Sequence, residues 1–413
     1  MANAFQNPNT FTSATLRELE NALVFSKHVS RKYDDKFANE GGKIGDTLNI
    51  RRPARFTVTS GASFSAQDYT ETSIPLVINA QKHIDTSFTT ADMTLKVQDF
   101  VARVIRPKMI QLAAQIDYDG LTQAKNSVGA LVGTAGTSPN NASFLFDCGK
   151  ALDRFSTPRD GERYLAIDET SNASLVGAMT GFFNDPRLIS SQFKDAVFVD
   201  GTNTVGLKIG MSQNVNRHTT GPLGGTPLVN GAAQGLTSGW ANTTSLVTDG
   251  WTAAAANRLK AGDIFTIANV FAVNPVTRQN TGVLMQFCVT ADASSDGSGN
   301  LTAVITPAII SAGAFQNVNA APADNAALTV VGTANTAYVR NIAWHKDAFT
   351  LGCIDIEDVS RFGTWGARKS YNGMSLRVAR QYAMSTDTVG TRVDVLYGWA
   401  TPYPEQAVQL IGA

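Results

Sequence analysis

The stretch FTTADMTLKVQDFVARVIRPKMIQLAAQIDYDGLTQAK, residues 88–125, carries the longest helical periodicity in the chain. Val97, Val101, Val104, Ile105, Met109, Leu112 and Ile116 recur at three- and four-residue steps, so a helix collects them on one face. From Asp92 to Lys125 such a helix would be roughly 50 Å long, enough to span a domain. Pro107 removes a backbone donor and disfavours a helical Arg106, which predicts a kink there or two helices meeting at an angle. Taken alone, the pattern describes a core helix; its neighbours give it a more particular meaning.

Before it, Thr15 and Glu18 form a capping box ahead of an apolar stripe of Leu16, Leu19, Leu23 and Val24, which predicts a short helix on an N-terminal arm. Residues 27–45 are polar and contain Gly41-Gly42, so that arm needs a partner surface. Two strand-like runs follow, Thr47–Thr59 and Ser73–Phe88, around a Gly/Ser/Ala-rich tip at 60–67. Leu48 and Ile50 alternate with polar neighbours, as Ile74, Leu76 and Ile78 do in part, and the pair predicts a long extended hairpin. Pro53 and Pro75 belong at strand edges or bulges. Arg51, Arg52 and Arg55 lie in the first run, either as a solvated face or as a basic stripe for a neighbour's carboxylates.

After the long helix come a small-residue link (129–138), a helix at Ser143–Phe155, a turn at 157–161, a strand at Arg163–Ile167 and a helix at Asn172–Phe183. Helices interleaved with short strands predict an α+β or α/β domain. From Gly221 to Gly239 the chain is loop-like. Asp263–Ala272, Val283–Thr290 and Leu301–Pro307 are β-rich runs between polar turns, as in a small barrel or sandwich. Residues 221–333 therefore read as an inserted all-β domain. Near the C-terminus, Ser375–Tyr382 and Thr391–Trp399 are strands around Ser385-Thr386-Asp387, the second with Val393, Val395, Tyr397 and Trp399 on one face.

The 413 residues suggest two or three domains, and 43% hydrophobic content is ample for cores. Lys plus Arg and Asp plus Glu both number 34, for a net charge of zero. A protein that grips phosphates needs a basic excess, so a principal role in holding nucleic acid is excluded. Cys148, Cys288 and Cys353 are far apart and odd in number, consistent with buried thiols in a reducing compartment. No signal segment or membrane-crossing run is visible, and a cytoplasmic, soluble product is expected.

No catalytic, cofactor or metal residue can be nominated. His28, His83, His218 and His345 form no His-Glu-x-x-His pattern, and no Gly-x-Ser-x-Gly elbow occurs. Gly42-Lys43 and Gly149-Lys150 are followed by Ile44 and Ala151, where a phosphate loop needs Ser or Thr. Asp292, Ser294, Asp296 and Gly297 begin like a calcium loop, but Ala303 stands at its closing twelfth position, so a hairpin turn is preferred.

The order of these parts resembles that of tailed-phage major capsid proteins of the Hong Kong 97 type, and among them the podovirus-type coat proteins with an inserted domain. The residues that carry the resemblance are FTTADMTLKVQDFVARVIRPKMIQLAAQID (88–117), VGLKIGMSQNVNRHTTG (205–221), LKAGDIFTIANVFAVNPVTRQNTG (259–282), NIAWHKDAFTL (341–351) and TRVDVLYGWATPYPEQAVQL (391–410). The resemblance implies an α+β capsid fold with an N-terminal arm (1–46), an extended loop (47–88), a spine-helix peripheral domain (89–135) and an axial domain (136–220). The inserted β-barrel-like domain would be 221–333, and 334–413 would return to the axial and peripheral domains. It implies self-assembly into pentamers and hexamers of an icosahedral shell in the virion, built in the host cytoplasm. Scaffolding and portal proteins would be the partners, with packaged DNA only in non-specific proximity and no membrane. By family geometry, Arg51, Arg52 and Arg55 would meet carboxylates such as Asp92 and Asp99 at the start of a neighbour's spine helix. No maturation-protease site and no crosslinking Lys/Asn pair is recognisable. A β-rich tail or surface adhesion protein is the alternative, but it should show repeats and lack the spine helix.

Overall fold

A computed structural model describes residues 8–31, 47–62, 64, 66–67, 71–89, 105–179, 203–204, 206–237, 239–253 and 257–413. In chain order its elements are α1 (Pro8–Ala22), β1 (Thr47–Arg52), β2 (Thr72–Val77), β3 (Ala80–Thr89), α2 (Arg106–Ser127), β4 (Leu131–Val132), α3 (Ser143–Arg154), β5 (Arg163–Ile167) and α4 (Glu169–Met179). Then come β6 (Asn203–Thr204), β7 (Leu207–Met211), β8 (Arg217–Thr219), β9 (Gly225–Val229), β10 (Thr244–Trp251), β11 (Ile264–Val273), β12 (Asn280–Val289), β13 (Leu301–Thr306) and β14 (Leu328–Val330). The last are β15 (Ala337–His345), β16 (Thr350–Ile354), β17 (Trp365–Tyr371), β18 (Met374–Ala383), β19 (Thr388–Ala400) and β20 (Ala407–Ile411). The fold is α+β, as expected, and no described helix is long and apolar enough to cross a membrane. The chain divides into two compact units.

The first unit comprises Met1–Ile50, Ser73–Gly120 and Thr350–Ala400. Its five-stranded sheet runs β16-β19-β18-β17, with β3 also on β19. At 13 residues, β19 is long enough to hold three neighbours: β18 and β3 over its first part and β16 at its end. Asn372 and Gly373, both at positive φ, close the β17–β18 hairpin with the two-residue turn that matches strand twist. Leu48, Leu76, Ile78, Ile354, Leu396 and Ala400 form one core. Asp117 of α2 accepts the backbone N–H groups of Val24, Phe25 and Ser26 at 2.8, 3.2 and 2.9 Å, fixing the turn that follows α1.

The second unit comprises Arg51–Thr72, Leu121–Phe349 and Thr401–Ala413. A seven-stranded sheet runs β4-β20-β15-β5-β7-β6, with β8 on β15. Strands β5 and β20 are buried at every residue, which is why they read as apolar runs rather than alternating ones. Leu145, Cys148, Ala151 and Leu152 of α3 pack with Leu165, Ile167, Leu207, Ile209 and Val408. An antiparallel six-stranded sheet, β14-β11-β12-β13-β10-β9, has its own core around Phe265, Phe287, Ile305 and Trp251.

Several expectations change. The first helix starts at Pro8, and Thr15 is buried mid-helix rather than capping it; proline at a helix start is a signal that competes with a capping box. The first strand stops at Arg52, because Pro53 has no donor for a ladder. The second run is two strands: β2 pairs with β1, whereas β3 joins β19 over ten residues, so 47–88 is not one hairpin. Residues 221–239 contain β9, the edge strand of the six-stranded sheet. Helix α2 as described begins at Arg106, and the kink or helix junction expected at Pro107 depends on the residues before it. Residues 90–104, with Val97, Val101, Val104, Asp92 and Asp99, lie outside the described residues. The expected face of α2 is buried at Ile105, Met109, Leu112 and Ile116.

Candidate functional site

The arginine stripe divides according to the strand period. Along β1, Leu48, Ile50 and Arg52 share one face, and Arg51 takes the other. Arg52 is therefore buried with the apolar residues. Its Nη2 lies 2.5 Å from Glu405 Oε1, and its guanidinium packs 4.7 Å from the Trp240 ring and 4.5 Å from that of Tyr403. Arg55 Nη2 reaches the same Glu405 oxygen at 3.1 Å, and its guanidinium sits 5.7 Å over Phe315. Pairing plus two aromatic faces offsets the desolvation of Arg52. Burial pushes the Tyr403 phenol above its ordinary pKa. The cleft beside this cluster, lined by Trp240, Pro307, Phe315 and Pro404, holds about 50 Å³, whereas metabolite sites need roughly 300 Å³ or more. It is an anchor for the base of the 51–72 segment.

Arg51 is different. Its side chain is 76% exposed, and its Nη1 lies 3.5 Å from Glu71 Oε2, an ion pair worth little in water. Farther along the same segment Val58 and Phe64 are almost wholly exposed and Phe56 more than half so. Sequence reasoning treated the three arginines alike. The period-two pattern that placed Leu48 and Ile50 inward could have separated Arg52 from Arg51.

The histidines and acidic motifs are absorbed by the fold. His218 Nε2 sits 2.7 Å from Asp263 Oδ1 in the core, and burial holds its pKa below the ordinary value despite that partner. His345, also buried, meets Asp160 at 3.2 Å. Asp296 accepts the N–H groups of Ser298 and Asn300, both at 2.8 Å, and these bonds with the Asn300 amide hold its carboxyl below the usual range. Asp292 accepts from Ala261 N at 2.9 Å. This is hairpin-turn bonding. None of the three cysteines forms a disulfide and all are buried, with thiols pushed up to about 12 by desolvation, so they are inert packing groups.

The polar groups of this cluster anchor the segment, while Arg51, Val58 and Phe64 stand exposed. No curated protein matches the sequence. Among solved structures, one of Mycobacterium phage Che8 is similar at 12% identity, with TM-score 0.46, covering 94% of this chain and 90% of that one. A capsid structure of cyanophage P-SCSP1u is similar at 12% identity, with TM-score 0.44, covering 95% and 88%. The CUS-3 coat protein I-domain is 25% identical over 26% of this chain and 96% of its own, with TM-score 0.19. The family model for the P22 coat protein, gene protein 5, matches residues 2–412. Matched over nearly its whole length, the chain belongs to the P22 coat protein family and is a phage major capsid protein.

Proposed function

We propose that the subunits form an icosahedral shell of hexamers and pentamers around packaged double-stranded DNA, with the 51–72 segment laid across an adjacent subunit. The exposure of Val58 and Phe64 beside the buried Arg52 anchor supports this most directly: one end is fixed to its own subunit and the other shows apolar surface in water. Arg51, with Arg55 beside the anchor, meets carboxylates such as Asp92 and Asp99 of the neighbour, where an acid also suits a helix N-terminus. Exposed pairs contribute ~0.2–1 kcal/mol each, but a closed shell repeats them at every subunit. The zero net charge suits a wall that encloses DNA without gripping it. Scaffolding and portal proteins take part in assembly in the host cytoplasm, residues 221–333 form an inserted domain of podovirus type, and the protein carries no catalytic activity of its own.

The test is assembly of Arg51→Glu and of Val58→Ser/Phe64→Ser, read by sedimentation and negative-stain microscopy. Each variant is expected to melt like the parent yet yield free subunits or aberrant tubes. Normal shells from both would refute the role given to the segment.

A further inference from the structure

Phe56-Thr57-Val58-Thr59 is a β-prone run, yet residues 53–60 lie in none of the described strands. A chain without ladder bonds keeps most of its conformational freedom, so whatever holds it decides which side chains it presents. Two side chains do the holding. Gln67 Oε1 accepts the Thr57 N–H at 2.8 Å, and Gln67 Nε2 donates to the Thr57 carbonyl. A primary amide used this way reproduces the paired bonds that a strand neighbour would make. The residue before it is held from elsewhere: Arg278 Nη2 donates to the Phe56 carbonyl oxygen at 3.1 Å.

Arg278 belongs to the turn between β11 and β12, which is firmly built. Asn274 Oδ1 accepts the Val276 and Thr277 N–H groups, both at 2.9 Å, and the Asn274 carbonyl accepts Arg278 N–H at 2.8 Å. Asn274 Nδ2 in turn donates to the Arg154 carbonyl at the end of α3, at 3.0 Å. Within this turn Arg278 has φ 56°, a left-handed conformation that disfavours a residue with a Cβ and suits glycine. Local backbone preference therefore argues against arginine at 278. What arginine adds is a side chain that reaches a carbonyl 222 positions earlier in the chain.

We infer that Arg278 and Gln67 are positioning residues for the subunit contact, resting on the docking role given above to the 51–72 segment. Together they fix where Phe56 and Val58 are presented to a second copy of the chain, the partner a phage major capsid protein requires. Val276, in the same turn as Arg278 and 74% exposed, adds an apolar group beside them. A loop already held in its docking position loses less freedom when the neighbour arrives. The two contacts are exposed, so they act on association more than on the stability of the subunit.

Assembly of the full-length chain as a function of subunit concentration, read by sedimentation, tests this. Arg278→Gly relieves the backbone and removes the reach. Its subunit should melt at or above the parent's temperature, while the concentration needed for half-assembly rises about tenfold. Gln67→Ala should shift assembly in the same direction, and Arg278→Lys, which keeps a donor, should stay close to the parent. In the unassembled Arg278→Gly subunit, trypsin should cut after Arg55 several times faster than in the parent. If Arg278→Gly folds poorly, Arg278→Asn takes its place with the same expectations, since asparagine tolerates positive φ but falls short of Phe56. Assembly of the position-278 variant at the parent's concentration, while Val58→Ser/Phe64→Ser blocks it, would overturn the inference and leave the docking role standing. Normal assembly of Val58→Ser/Phe64→Ser would overturn both. An assembly defect matched by lost subunit stability in both Arg278→Gly and Arg278→Asn marks a structural role and also refutes the inference.

Discussion

Arg52 and Arg51 are adjacent, carry the same charge and have opposite fates. Truncating Arg52 to Ala leaves the partly buried Glu405 with Arg55 alone and takes the cation from two aromatic faces, at an expected cost of about 2 kcal/mol in urea unfolding. Arg51→Glu should change subunit stability by less than about 0.5 kcal/mol, as for an exposed residue. Titrating residues give a second prediction. Hydrogen bonding to Arg159, then to Arg163, lowers the folded pKa of Asp153 below its ordinary 3.8. A carboxyl lowered in the folded state contributes stability that is present above pH 3.8 and lost as pH falls through the folded value. His218 is lowered by burial, so the unfolded chain takes up a proton near pH 6.5 that the folded chain refuses. Stability should therefore begin to fall below pH 6.5 and fall again below about pH 4. Asp153→Asn should reduce the lower step, which other lowered carboxyls such as Asp296 and Asp85 share, and His218→Gln should remove the upper one, as read from chemical unfolding at each pH.

At the scale of elements, glycines show where backbones meet. A Cβ on Gly398 of β19 would lie 2.2 Å from Val77 O and 3.0 Å from Ile78 Cα, where only backbone movement could relieve it. Gly398→Ala should cost about 3 kcal/mol, an overpacking penalty at its upper end, and should open the place where β3 joins β19. The check is unfolding together with amide exchange at residues 80–89, which should quicken in the variant. Gly120→Ala would press on the Trp399 ring at 2.5 Å, a side chain with more freedom to yield. Half of the strands after residue 260 were readable from alternation and turn residues: β11, β12, β13, β18 and β19 fall within a few residues of their expected places, whereas β14–β17 and β20 were not anticipated. Partner choice was not readable: nothing in Ala80–Thr89 itself says that it pairs with residues three hundred positions later instead of with Thr47–Thr59.

For the molecule as a whole, the six-stranded sheet carries its own core, from Val229 to Leu328, inside the segment 221–333 proposed as a separate domain. Expressed alone, that segment should give a β-type circular dichroism spectrum and a cooperative melt. Phe155 packs on this core from outside the segment, so the excised piece should also bind a hydrophobic dye more strongly than the intact chain does. A random-coil spectrum would count against its independence. The order of elements carried the family resemblance, because each region's period and turns are local properties that survive in a single sequence. The proposed assembly contacts were only partly readable. Arg51 and Arg55 stood out by charge, but Glu405 lies 350 residues beyond Arg55 and became its partner through folding.

By itself, the sequence determined the α+β class, many but not all of the helices and strands, the buried cysteines and the lack of a catalytic motif, since these follow from composition and short-range spacing. Tertiary structure alone decided which strands share a sheet and which arginine is buried. The physical reason is that pairing and desolvation are set by groups distant in the chain. A guanidinium in β1 has the same local chemistry in either setting, and only the neighbours that folding brings to it make it a buried anchor or an exposed group.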